Sequence, residues 1–248
     1  MRGSFRVAVS VVLVVLVAAE ARAADAFAPL FSGTDLTGWK VPAGDNGHWK
    51  VLNGIIDYDA RSEAAGDKAL WTERSFGDFV LRAEWRLKET PYTNPHVQIV
   101  LPDGNPKRGA DGQPIQIAVP DSDSGIYLRG DSKSQVNIWC WPVGSGEVYG
   151  YRTDPAMPPD VRAGVTPRTN ADHDIGQWNA FEITMVGDRL TVVLNGTKVL
   201  DNARLPGVAP RGPIALQHHG EWKDGQWQGP PSLVQFRNIE IRELGAPR

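Results

Sequence analysis

The chain has 248 residues, of which 22% are charged and 41% hydrophobic; its formal net charge is −3, and Cys140 is its one cysteine. That balance gives no electrostatic footprint for nucleic acid or an anionic membrane surface. A single cysteine also excludes an intramolecular disulfide, so stability must come from a core, which a chain of this length can bury.

The first predicted element is a secretory signal peptide. Arg2 and Arg6 form a positive start, residues 7–19 are a nearly unbroken apolar run too short to span a bilayer as a helix, and Ala21-Arg22-Ala23 is an A-x-A cleavage site. Cleavage is expected between Ala23 and Ala24, leaving a single domain over 24–248. Losing Arg2, Arg6 and Arg22 against Glu20 moves the net charge from −3 to −5. No cysteine follows the cut, so no lipid anchor is expected on the mature chain, and its place is the periplasm or the extracellular space.

Beyond that segment the chain reads as all-β. Short β-branched and aromatic runs are separated by Gly, Pro, Asn and Asp, the pattern of a sandwich or barrel. In chain order the strands are predicted at 79–88, 125–129, 135–141, 179–186, 189–194, 198–202, 213–218 and 233–243. Asn195-Gly196 is a type I′ hairpin signal, so 179–202 should form three consecutive antiparallel strands. Two proline-rich stretches, 89–123 and 154–176, read as long loops, the first with a small hairpin pairing 96–101 with 114–119. Loops this long in a compact domain are usually functional.

Strand parity then sorts the side chains, because residues two apart share a face. Phe79, Leu81, Ala83, Trp85 and Leu87 should face the core, with Val80, Arg82, Glu84 and Arg86 opposite. Val136, Ile138 and Cys140 should also point inward, making Cys140 a buried, unreactive thiol. That leaves Gln135, Asn137, Trp139 and Trp141 on the other face of their strand. Indole suits the apolar faces of a sugar ring and amides suit its hydroxyls, so this face reads as a sugar platform. Gln217 and His219 share the corresponding face of 213–219. The tandem His218-His219 pair points to opposite faces, so no metal is expected there, and no zinc-binding, phosphate-loop or serine-hydrolase motif is present.

A series of motifs in order resembles one family. Phe31-Ser32-Gly33-Thr34-Asp35-Leu36-Thr37-Gly38-Trp39 is similar to its opening, and Trp49-Lys50-Val51-Leu52-Asn53-Gly54 to its W-x-V-x-x-G. The segment from Phe76 to Trp85 matches a following strand motif, and Asp123-Ser124-Gly125-Ile126-Tyr127-Leu128-Arg129 resembles NSGi-x-lR. Further matches are Gly176-Gln177-Trp178-Asn179, Leu194-Asn195-Gly196, Gly212 to Gly220 and Phe236-Arg237-Asn238-Ile239. The resemblance is to the 3-keto-disaccharide hydrolases, also described as 3-keto-glucoside lyases and 2-hydroxy-3-keto-glucal hydratases. It implies a concanavalin A-like jelly-roll β-sandwich whose concave sheet holds sugar. Two departures stand out: Gln135 replaces an acidic residue usual at its position, and Asp123 stands where the motif begins with Asn.

The implied reaction is cleavage of a 3-keto-glycoside by proton abstraction at C2 and β-elimination at C1, with or without hydration of the resulting glucal, and without a cofactor. Such a site needs a base, an acid and an enolate stabiliser. The sequence offers Arg129 as enolate stabiliser, Glu84, Glu147 and His173 as base or acid, and Gln135, Asn137, Trp139, Trp141, Gln217 and His219 as the sugar-binding set. Two other readings are a non-catalytic carbohydrate-binding sandwich and an ordinary glycoside hydrolase, which needs two carboxylates flanking the scissile bond.

Overall fold

The computed structural model describes residues 26–245. The predicted signal peptide and its cleavage site lie outside the described residues. In chain order the strands are β1 (Ala28–Pro29), β2 (Trp39–Lys40), β3 (Lys50–Leu52), β4 (Ile55–Asp57), β5 (Leu70–Phe76), β6 (Phe79–Leu87), β7 (Tyr92–Gln98), β8 (Gln116–Asp121), β9 (Asp123–Leu128) and β10 (Asp131–Trp139). After two short helices, α1 (Tyr149–Arg152) and α2 (Pro159–Gly164), come β11 (Asn179–Val186), β12 (Arg189–Leu194), β13 (Thr197–Arg204), β14 (Gly212–Leu216), β15 (Trp222–Lys223), β16 (Gln226–Trp227) and β17 (Val234–Glu243).

These strands build a concanavalin A-like jelly-roll sandwich. The larger sheet runs β13-β12-β11-β6-β17-β4-β3, with β1 added on β17; the smaller runs β10-β9-β14-β5-β2. Every pairing in both sheets is antiparallel. The meander β11-β12-β13 forms as expected, with Asn195 at φ 51° and Gly196 at φ 79°, the two positive values of a type I′ turn.

The core fills the space between the sheets. Phe79, Leu81, Ala83, Trp85 and Leu87 of β6 are all buried, as their alternation requires, and meet Ile126, Leu128, Val136, Ile138, Ile214 and Leu216 of the smaller sheet in one cluster. Each such side chain contributes about 1.5–3 kcal/mol by leaving water. Cys140 is half-buried against this cluster, with Sγ 3.8 Å from the Ser122 carbonyl oxygen, and burial pushes its thiol up to about 12.

Four expectations are corrected. The strand expected over 125–129 ends at Leu128, and the one expected over 135–141 ends at Trp139. Leu128 pairs with Asp131, while Arg129 (φ 53°) and Gly130 (φ 80°) are the two central residues of a tight turn between β9 and β10. The small hairpin exists but begins earlier: Tyr92 pairs with Asp121 and Gln98 with Gln116. The 154–176 loop contains α2, opened by Pro159 at its first turn.

Candidate functional site

The outer face of the smaller sheet carries a groove of about 470 Å³. Gln135, Asn137, Trp139, Trp141, Gln217 and His219 all line it. The structure thus brings the whole expected sugar-binding set together, from β10 on one side and the end of β14 on the other. The pairing explains how: Trp139 lies opposite Asp123, Asn137 opposite Gly125 and Gln135 opposite Tyr127. Gly125 is needed here, since the Gln135 side chain lies across its Cα where any Cβ would stand.

At one end Trp139 and Trp141 stack with centroids 4.2 Å apart and planes 3° from parallel, and Tyr149 of α1 meets both edge-on. Their indole N–H groups are committed, Trp139 to the Gly144 carbonyl at 2.8 Å and Trp141 to Asp121 Oδ2 at 3.0 Å. The rings are therefore held as a rigid wall. In the middle, Gln135 Nε2 donates to Gln217 Oε1 at 2.5 Å and to the Ser124 carbonyl at 3.2 Å. Asn137 is 3% exposed, and among the described residues its side-chain amide makes no hydrogen bond.

The other end holds Asp123 and His219. Both line the groove, with His219 Nε2 3.9 Å from Asp123 Oδ2. His219 Nδ1 lies 2.7 Å from the Pro230 carbonyl oxygen, which can only accept, so Nδ1 carries a proton and Nε2 is the free nitrogen of the neutral ring. Asp123 Oδ1 is buried without a partner among the described residues. Burial pushes this carboxyl up to about 7; the neighbouring His219 opposes the shift and Asp121 adds to it. Ser232 fixes the pair, its Oγ accepting from the His219 N–H at 2.7 Å and donating to the Asp123 carbonyl at 2.6 Å.

None of the four residues expected to do the chemistry lines this groove. Arg129 is a strut of the β9–β10 turn. Its guanidinium donates to the carbonyls of Gly77 (3.0 Å), Gly187 (2.6 Å) and Ala209 (3.1 Å), and to Asp78 Oδ1 (2.8 Å). Strand parity fails for it because it is not in a strand. Glu84 lies on the outer face of the larger sheet, bonded to Arg237 Nε at 2.7 Å and to Asn238 at 2.8 Å. Glu147 is wholly buried behind the groove wall and bonded to Arg152 Nε, with burial pushing its carboxyl up to about 7. His173 is exposed on its loop, its Nδ1 2.9 Å from the Trp178 carbonyl.

Asp123 is the groove residue that sequence reasoning missed. Its parity with Gly125 and Tyr127 already placed it on the polar face, and its departure from the family's Asn was visible. His218, by contrast, behaves as parity required: it faces inward, with Nδ1 2.7 Å from the Tyr58 hydroxyl, and burial lowers it to about 4.

Comparison with known proteins decides the family. A sequence model of the 3-keto-alpha-glucoside-1,2-lyase-like domain matches residues 26–242. The chain belongs to this family. That membership makes it a carbohydrate-active protein and accounts for the motif series from Phe31 to Ile239. No curated protein sequence matches the chain. Among solved structures it is similar to three candidate glycosyl hydrolases from Parabacteroides distasonis. One has TM-score 0.55 and 22% identity, covering 88% of this chain and 84% of that one. The second has TM-score 0.54 and 15% identity, with coverages of 91% and 97%. The third has TM-score 0.52 and 18% identity, with coverages of 88% and 100%. At these identities the likeness concerns the fold.

Proposed function

We propose that this member of the family cleaves 3-keto-glycosides by β-elimination, and that it does so outside the cytoplasm after removal of residues 1–23. The observation that carries the reading is the meeting of Asp123 and His219 in the groove that holds the indoles and free amide suited to a sugar.

A ketone at C3 acidifies the C2 hydrogen. Asp123 as carboxylate takes that proton, and the electron pair moves to form the C2–C3 double bond of an enediolate. The Asn137 amide, whose side chain makes no hydrogen bond among the described residues, faces the growing charge on the C3 oxygen. Re-forming the C3 carbonyl shifts the double bond to C1–C2 and breaks the bond from C1 to the glycosidic oxygen. That oxygen needs a proton, which His219 supplies from Nε2 in the state where the imidazole ring is charged and Asp123 is ionised. Base and acid serve adjacent carbons, so a pair 3.9 Å apart suits the task. Addition of water across C1–C2 would complete a net hydrolysis.

The test is incubation of the purified protein with a 3-keto disaccharide beside its unoxidised parent, with product analysis. Cleavage of the keto sugar alone is expected. Equal turnover of both, or of the parent alone, would overturn the reading in favour of an ordinary glycoside hydrolase; binding without turnover of either would favour a carbohydrate-binding module.

A further inference from the structure

We infer that the hairpin β15–β16, together with Arg61, forms a second sugar subsite, which takes the leaving half of a disaccharide-sized glycoside. This rests on the function proposed above for the groove and adds to it the place of the aglycone.

The hairpin has two residues in each strand and pairs with neither sheet. So small a hairpin gains little stability of its own, yet it carries two tryptophans. Trp222 is 40% exposed, and its ring meets Trp227 edge to face, with centroids 5.0 Å apart. The Arg61 guanidinium lies over both, 4.3 Å from the Trp222 centroid and 5.8 Å from that of Trp227. Stacking orients its planar fork. Among the described residues Arg61 has no carboxylate partner and its side chain donates no hydrogen bond, so the fork is free. Beside it opens a depression of about 570 Å³, where Arg61 and the two indoles are joined by Glu89 and Gln226. Indole for a ring face, with carboxylate and amide for hydroxyls, repeats side-chain types of the groove, and the Arg61 guanidinium is added to them.

Placement supplies the second argument. The hairpin is the projecting tip of a stem rooted in the groove itself. The His219 carbonyl accepts from Ser232 N at 3.0 Å, and the Glu221 carbonyl from Gln228 N at 2.8 Å. The stem closes at Gly220 (φ 76°), where a Cβ would stand 2.7 Å from Pro231 Cα. Trp222 is three residues from His219, so their Cα atoms are within about 11 Å, a reach suited to two linked pyranoses. A sugar whose C1 oxygen is protonated by His219 therefore directs its leaving partner toward the indoles.

The experiment measures kcat/KM for a 3-keto disaccharide and for the methyl 3-keto-glucoside, using the full exported chain and its Trp222→Ala and Arg61→Gln variants, each checked for folding by circular dichroism and Tm. The ratio of the two values should fall about tenfold in both variants, mostly through KM for the disaccharide. An unchanged ratio in folded variants would overturn the subsite. If the unaltered protein turns over neither substrate, the function proposed above is what has failed. The subsite is then decided by calorimetric titration with the unoxidised disaccharide and its monosaccharide. A preference for the disaccharide that Trp222→Ala abolishes supports it, and no such preference overturns it.

Discussion

At the scale of the residue, Asp123 is where chemistry and stability pull against each other. Its carboxyl is desolvated, one oxygen lacks a partner, and its proton affinity is raised to about 7. A group that must take a proton near neutral pH works best with such an affinity. The mechanism needs Asp123 as carboxylate and a proton on His219 Nε2, so the pH profile of kcat/KM should be bell-shaped, its rising limb near about 7 where the carboxylate forms. Asp123→Asn keeps the shape and removes the base. We expect a loss of activity of about 100-fold or more, with a gain in stability at pH 8. The sign follows from linkage: a carboxyl that holds its proton more tightly when folded opposes folding once the solution is above its unfolded pKa. The gain should be on the order of 4 kcal/mol at pH 8 and should nearly vanish near pH 4. A denaturant titration at each pH measures it.

At the scale of the element, β9 and β10 show what alternation can and cannot assign. Within the strands, parity placed Gln135, Asn137 and Trp139 on the groove and Val136 and Ile138 in the core, as found. One residue beyond Leu128 the chain turns, and the rule ends. Arg129 enters the left-handed region at about 1 kcal/mol of strain. It is held there by four hydrogen bonds that tie β9–β10 to the β5–β6 turn at Gly77 and Asp78, to the β11–β12 turn at Gly187, and to Ala209. Arg129→Lys keeps the charge and loses the fork. It should destabilise the protein by about 2–3 kcal/mol, since one ammonium cannot reach the three carbonyls and the Asp78 carboxylate that the guanidinium joins, while kcat of the remaining folded protein changes little. Thermal unfolding beside initial-rate kinetics at low temperature separates the two effects.

At the scale of the whole molecule, buried acids set the pH dependence of stability. Asp123 and Glu147 are both pushed up to about 7, and Asp121 and Asp172 are raised as well, in each case chiefly by burial. These groups bind more protons folded than unfolded between about pH 4 and 7, so their contribution to stability falls as pH rises through that window. His218 acts the other way: held neutral with its affinity lowered to about 4, it favours the fold as pH rises from about 4 to 6.5. The acids outnumber it, so Tm should be higher near pH 5 than at pH 8, which scanning calorimetry across that range will check. Asp123→Asn should flatten the slope.

The sequence by itself determined the layers of this protein and one face of its groove. Alternation of apolar and polar residues is a local property of a strand, and it is enforced wherever one face must leave water; hence β6, β10 and the β11-β12-β13 meander were legible, as was the set of indoles and amides that meets in the groove. The resemblance of ordered motifs supplied the family and its jelly-roll sandwich. Only the tertiary structure decided which acids and bases share that groove. Glu84 was sent to the other sheet because strand order, not parity, assigns a strand to a layer. Glu147 was drawn inward by Arg152, Arg129 was turned aside by two residues of positive φ, and Asp123 met His219 because Ser232, 109 residues along from Asp123, bonds to the backbone of both. Contacts between residues so far apart in sequence leave no periodic trace in the chain, because they are set by how the strands close on one another.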